Sequence, residues 1–296
     1  MTAAPALPAA DPVTTDPDVL AVAARYTLSG PPPRAGGAVG ERVGRTAGSG
    51  LEFREHRRYL PGDDVRHLDW AAFARTDVPI VQVFREEVAR DTAVWLDGSA
   101  SMGCDPEKSR LARSLAAACW RMAAASGDRP TLHLLSETNR PDPRGRSLDS
   151  LDGPVFSGRG SLVELAAQHG LPATGRGVRV IVSDFLFPHD PDALVRRLAR
   201  GTDAATLIQI LSSFEADPPE LGGRRLTDPE ADEAAEVTLD RPAVAAYRAR
   251  LRALIDGLAR ACRSHGATFA TLVAGPNLNE LCRSTLVPAG ALGVRR

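Results

Sequence analysis

Short apolar segments alternate with longer amphipathic ones over most of the chain. Five of the apolar segments have the length and composition of strands: DTAVWL (91–96), TLHLLSE (131–137), GVRVIVSDF (177–185), AATLIQIL (204–211) and ATFATLVA (267–274). The segments between them, such as SLVELAAQHG (161–170), have the apolar spacing of helices. Strands that alternate with helices from about residue 92 to 285 predict an α/β fold with a doubly wound, mostly parallel sheet.

The chain before this region has a different composition. Residues 1–50 are rich in Ala, Pro and Gly, and we expect a disordered or partly helical segment there, with a helix from about Pro17 to Leu28. Residues 51–91 contain two strand-like segments around a Pro61-Gly62 turn, which predicts an N-terminal β-hairpin extension. The α/β domain is then expected to cover residues 92–287, followed by a tail at 288–296.

Polar residues follow two of the apolar strands directly. VWLDGSASMG (94–103) ends one strand with Asp97, Ser99 and Ser101, and Asp184 ends another. Ligand sites in parallel α/β sheets lie beyond the carboxyl ends of the strands, so these side chains are expected to share one crevice. Carboxylates and hydroxyls suit hard ions, and the pattern predicts a Mg²⁺ or Mn²⁺ site. A structural turn, capped by the aspartate, is the alternative.

The same turn also permits an enzymatic interpretation. Ser101 lies between a strand and a helix, as the nucleophile of a serine hydrolase does, and Asp184 and His265 follow in the order of a hydrolase triad. However, Ser99 stands where such a turn has its first glycine, and Asp97 would repel an oxyanion. The metal site is therefore the preferred interpretation.

Composition excludes several other classes of function. The formal net charge of −1 gives no indication of a nucleic-acid partner, and no apolar segment approaches the roughly 18 residues that span a bilayer. The four cysteines form no C-x-x-C pair, and no signal peptide is evident, so we expect a cytoplasmic protein. Lys108 is the only lysine among 36 basic residues, which we attribute to codon bias.

The segment LDGSASM followed by a helix, with VIVSDF later, resembles a von Willebrand factor A-type domain. In that family, the D-x-S-x-S loop is the first element of the metal-ion-dependent adhesion site, and a later aspartate is its third. The resemblance implies that Asp97, Ser99, Ser101 and Asp184 hold the ion. The second element is usually a threonine in an intervening loop, and Ser161 occupies the corresponding place here.

A longer stretch resembles the bacterial domain of unknown function 58 family, over about residues 17–287. The residues that match the PGDD-x-R-x-x-DW-x-x-x-ART signature of that family are Pro61, Gly62, Asp63, Asp64, Arg66, Asp69, Trp70, Ala74, Arg75 and Thr76. The resemblance implies a von Willebrand A-like fold and a MoxR-type AAA+ ATPase as the partner, in chaperone-like assembly or maturation. It therefore implies a non-enzymatic interaction protein.

The signature itself allows two interpretations. Asp69 and Arg75 could pair and Trp70 could pack onto the edge of the sheet, which would make the segment structural. Alternatively, Asp63, Asp64, Arg66, Asp69, Trp70 and Arg75 form a docking surface for the ATPase. The sequence leaves both open.

Overall fold

The computed structural model describes residues 12–30, 51–61, 65–86, 89–135, 147–153, 155–158, 162, 164, 177–220, 222–227 and 234–295. Contacts between residues divide the chain into two compact units. The main unit contains residues 1–30 and 90–296, and the smaller unit contains residues 31–89.

The described helices and strands, in chain order, are α1 (Pro17–Arg25), β1 (Tyr26–Leu28), β2 (Leu51–Arg58), α2 (Trp70–Thr76), β3 (Ile80–Glu86), β4 (Asp91–Asp97), α3 (Pro106–Ala125), β5 (Arg129–Leu135), β6 (Gly177–Ser183), α4 (Pro191–Ala199), β7 (Ala204–Leu211), α5 (Ser213–Ala216), β8 (Gly222–Thr227), β9 (Ala234–Leu239), α6 (Arg241–Ser264), β10 (Thr268–Val273), α7 (Leu278–Leu281) and β11 (Leu292–Val294). Short 3₁₀ segments lie at Val65–His67, Ala100–Gly103 and Leu148–Asp152, and a π-helical turn covers Cys282–Leu286.

The core of the main unit is a five-stranded sheet in the order β10-β7-β6-β4-β5, in which every neighbouring pair is parallel. Alternate residues of β4 face two separate apolar clusters. Val94 and Leu96 pack with α3, whereas Ala93 and Trp95 pack with α4 and α6. Helices therefore cover both faces of the sheet, and the prediction of an α/β fold with a parallel sheet is confirmed.

Asp-Pro pairs begin the helices that cover the sheet. The side chain of Asp105 accepts a hydrogen bond from the Lys108 amide, and Pro106 occupies the first helical position of α3. The same arrangement, with Asp190 and Pro191, begins α4. An aspartate cap stabilises a helix by about 1 kcal/mol, and proline there loses no intrahelical bond. These local signals set where each helix leaves the carboxyl edge of the sheet.

The two ends of the chain belong to the main unit. The first helix ends at Arg25 rather than Leu28, and residues 26–28 form β1, which pairs antiparallel with β11. The segment predicted as a tail, 288–296, thus contains a strand. Helix α1 also buries Val19 and Val22 against the main apolar cluster.

The smaller unit is built on β2 and β3, which pair antiparallel with a bulge between Phe53 and Glu55. A 3₁₀ turn and α2 connect the two strands. This pairing agrees with the predicted β extension. In the main unit, β8 and β9 form a further short antiparallel pair. The helix predicted at 161–170 lies almost entirely outside the described residues.

Candidate functional site at the carboxyl edge of the sheet

The carboxyl ends of β4 and β6 meet at the point where the strand order reverses. Strand β5 lies on one side of β4, and β6 lies on the other. Asp97 is the last residue of β4, and Asp184 directly follows β6. The hydroxyl of Ser183 donates to Oδ2 of Asp97 at 2.5 Å, which ties the two strand ends together. The structure therefore brings Asp97 and Asp184 into one crevice, as the switch-point rule predicts.

The loop after β4 folds back toward its own aspartate. The amide of Ser99 donates to Oδ1 of Asp97 at 2.9 Å, and the hydroxyls of Ser99 and Ser101 lie 3.0 Å apart. Gly98 donates to the carbonyl of Leu135, and a Cβ at this glycine would lie only 3.1 Å from that oxygen. A glycine is therefore needed where the loop passes the end of β5. Asp97, Ser99 and Ser101 come together as predicted.

Asp97 is buried, and its surroundings favour the protonated form. Burial, followed by the nearby charge of Asp184, raises the pKa of Asp97 to about 7, although hydrogen bonds from Ser183 and Ser99 oppose this rise. Near neutral pH this carboxyl is therefore partly protonated. It is therefore a weaker anion than its motif suggests.

A lysine lies among the predicted ligands. The side chain of Lys108, in the first turn of α3, is fully buried. Its Nζ donates to Asp184 Oδ2 at 2.8 Å, to Glu215 Oε1 at 2.7 Å and to the Ser101 carbonyl at 3.1 Å. Burial alone would lower the pKa of Lys108, but Asp184 and Glu215 raise it above its usual value. The ammonium is therefore held in its charged form.

Glu215 is the second carboxylate on this lysine, and sequence reasoning missed it. Its Oε2 accepts from the Ser212 amide at 2.7 Å, and the Ser212 hydroxyl accepts from the Glu215 amide. This capping box starts α5 directly after β7, the strand beside β6. The motif S-x-x-E after an apolar strand could have indicated that Glu215 lies at this edge. We call Asp97, Ser99, Ser101, Lys108, Asp184 and Glu215 the edge cluster.

A divalent ion does not fit the edge cluster together with Lys108. Asp184 offers one oxygen to Lys108 and the other to the Leu186 amide, and both oxygens of Glu215 are also engaged. Among the described residues, no group of three or more His, Cys, Asp or Glu is arranged to hold a metal ion. Ser161, the remaining predicted ligand, lies outside the described residues. Mg²⁺ or Mn²⁺ at this edge stays a prediction.

The residues of the hydrolase alternative are not arranged as a triad. His265 lies just before the amino end of β10, whereas Ser101 and Asp184 follow the carboxyl ends of their strands. In the described structure, Nε2 of His265 lies 2.9 Å from Asp192, and Asp184 contacts Lys108. His265 is therefore not placed to act as the general base for Ser101.

The signature segment, residues 60–76, lies in the smaller unit. Asp69 caps α2 by accepting from the Ala72 amide at 2.9 Å, and its own amide donates to Ile80. Trp70, which could have packed onto the sheet edge, is 64% exposed and contacts Phe73 edge-on. Arg66 and Arg75 are exposed. Asp63 and Asp64 lie outside the described residues.

The fold and the edge cluster define a doubly wound α/β domain with a polar switch point. The model of the family described as "Protein of unknown function DUF58" matches residues 55–254, and the chain therefore belongs to the domain of unknown function 58 family. The chain is 30% identical over 250 residues to the uncharacterized proteins Mb1516 of Mycobacterium bovis and Rv1480 of Mycobacterium tuberculosis. The match covers 80% of this chain and 75% of each relative. No solved structure matches.

Among the described residues, no helix combines the length and the apolar character that crossing a bilayer requires.

Proposed function

We propose that this chain is a non-enzymatic protein-interaction module of the von Willebrand A type. It acts in the cytoplasm with a MoxR-type AAA+ ATPase, in chaperone-like assembly or maturation. The observation that carries the proposal is the exposure of Leu60, Val65 and Trp70 in the signature segment, each of which is more than half exposed.

An exposed tryptophan of this kind is typical of a docking surface. Large apolar side chains that protrude into solvent gain free energy when a partner covers them, and tryptophan is enriched among the residues that dominate binding. Asp69 holds Trp70 at the start of α2 because it caps that helix. Arg66 and Arg75 supply polar groups along the same segment. A rigid aromatic anchor with a polar surround is a common design for an interface.

The switch point supports assigning the α/β domain to the von Willebrand A type. A D-x-S-x-S loop leaves β4, an inner strand of the parallel sheet, and runs into a long helix, which is the arrangement that such a fold has at this point. In the metal-dependent form of the proposal, Asp97, Ser99 and Ser101 bind Mg²⁺ or Mn²⁺, and an acidic side chain of the partner completes the coordination. That form requires Lys108 to leave Asp184 and Glu215, which it contacts directly.

The test is the affinity between the native protein and a MoxR-type AAA+ ATPase, measured by calorimetry with and without a chelator. We expect Trp70→Ala to weaken binding at least tenfold, about 1.4 kcal/mol, because it removes the anchor. Leu20→Ala is the control, since Leu20 is also an exposed apolar residue but lies in the main unit and outside the edge cluster.

Equal affinity of Trp70→Ala and the native protein for the ATPase would contradict the docking surface. The metal-dependent form has its own outcome. It predicts that the chelator and Asp97→Ala each weaken binding while the fold persists, and an affinity that neither change alters would contradict it.

A further inference from the structure

The ammonium of Lys108 is unusual because it is fully buried and bonds to two carboxylates and a carbonyl. The side chain has no exposed area, and its three N–H groups point to Asp184, Glu215 and the Ser101 carbonyl, all within 3.1 Å. An ammonium has three donors and no acceptor, so its hydrogen-bonding capacity is complete. These three partners are oxygen atoms around one positive charge, which is the chemistry of a hard-cation site.

Backbone amides donate hydrogen bonds to the carboxylate oxygens of Asp184 and Glu215 that do not contact Lys108. Asp184 Oδ1 accepts from the Leu186 amide at 3.1 Å, and Glu215 Oε2 accepts from the Ser212 amide at 2.7 Å. Gln209 fixes the backbone of Asp184 by donating to its carbonyl at 2.8 Å. The oxygens that face inward therefore have one cationic partner in common, and a buried carboxylate without such a partner is strongly unfavourable.

We infer that Lys108 is the resident cation of the edge cluster and takes, as a charge tethered to α3, the place where a divalent ion would otherwise bind. The native cluster is then closed to Mg²⁺ and Mn²⁺. Removal of the ammonium would leave the inward-facing oxygens of Asp184, Glu215 and the Ser101 carbonyl around one space, and these are hard oxygen ligands.

The identity of the residue supports this assignment. Every other basic residue apart from histidine is arginine, so the general bias of the chain does not account for the lysine found at this one buried position. A lysine ammonium is a compact point charge that can occupy an ion-sized space, whereas a guanidinium is planar and wider. The inference does not depend on the proposed ATPase partner, but it is incompatible with the metal-dependent form of the proposed function.

The first experiment uses the native, full-length protein. Because Lys108 is the only lysine, ¹⁵N-lysine labelling with a lysine-free tag gives one Nζ signal in the NMR spectrum. We expect a charged ammonium that exchanges slowly with water and whose shift does not change when MgCl₂ is added. A saturable change of this signal with Mg²⁺, under conditions where NaCl of equal ionic strength has no effect, would overturn the inference.

The second experiment asks whether removal of the charge creates a metal site. We expect Lys108→Met to gain saturable binding of one Mn²⁺ by electron paramagnetic resonance, and the native protein to show none. The additional substitution Asp184→Asn should abolish the gained binding, while Lys108→Arg, which keeps the charge, should not gain it. Saturable binding to the native cluster, or a folded Lys108→Met that binds no Mn²⁺, would overturn the inference.

The first experiment tests the inference even if the variant used in the second does not fold. If Lys108→Met does not fold, the native Nζ signal still decides whether Mg²⁺ displaces the ammonium. Neither measurement involves the ATPase. The results therefore test the assignment of Lys108 separately from the proposed docking function.

Discussion

The edge cluster and the signature segment differ in the kind of side chain that each buries or exposes. In the edge cluster, Lys108 and Asp184 are buried, and Lys108 bonds both to Asp184 and to the partly exposed Glu215. In the signature segment, large apolar side chains such as Trp70 are exposed. The motif that resembles an open metal site is thus closed by the chain itself. The segment that could have been internal packing carries the exposed groups, which makes it the better candidate for docking.

The largest effect is expected from removing the buried charge. Lys108→Met should lower the free energy of unfolding by about 3–5 kcal/mol in divalent-free buffer, because two inward-facing carboxylates lose their cation. Urea unfolding followed by tryptophan fluorescence measures it. Arg129→Met is the matched control: it breaks the pair with Asp91, in which both side chains are largely exposed, and should cost less than about 1 kcal/mol. Equal losses in the two variants would contradict the closed edge cluster.

The next effect is a dependence of stability on pH that arises from Asp97. Its pKa is raised from 3.8 to about 7 in the folded protein, so the folded state holds its proton over a range in which the unfolded state has lost it. The stabilising contribution is complete below about pH 4 and is lost as the pH rises to about 7, at up to about 1.4 kcal/mol per pH unit.

Asp97→Asn should remove this dependence. Urea unfolding of both proteins between pH 4 and 8 measures the difference in their free energies of unfolding, in which other titrating groups largely cancel. We expect the native protein to become less stable relative to the variant as the pH rises to 7, with no further change above it. A constant difference would show that Asp97 is ionised in the folded state throughout.

The meeting of Asp97 and Asp184 was predictable because it depends on two simple rules. Each aspartate ends an apolar strand, and in a doubly wound sheet such ends converge where the strand order reverses. Strand composition and the Asp-Pro helix starts carry enough local signal for the sheet and its covering helices to be inferred. The fold of the main unit is therefore largely encoded in local patterns.

The positions of Lys108 and Glu215 were not predictable in the same way. Each lies one short connection beyond a strand end, and their contact depends on how the first turn of α3 and the capping box after β7 are directed in space. The predominance of arginine was attributed to codon bias, and composition gave no indication that the one lysine is buried. The pairing of β1 with β11 was missed for a related reason, since three-residue strands are too short to show a periodic pattern.

The smallest effect on stability is expected at Trp70, and a buried tryptophan of the main unit, Trp95, is the comparison for it. Trp95 has no exposed area and packs under the guanidinium of Arg179, 4.2 Å from its ring centroid, whereas Trp70 is 64% exposed. Trp95→Ala should therefore lower the free energy of unfolding by about 3–5 kcal/mol. Trp70→Ala should change it by less than about 0.5 kcal/mol, because exposed positions contribute little to folding. Urea unfolding measures both variants.

A large loss for Trp70→Ala would mean that this side chain stabilises the fold, and a weakened affinity for the ATPase could then no longer be assigned to a lost contact. A small loss, together with weaker binding, would separate the role of the signature segment from that of the core.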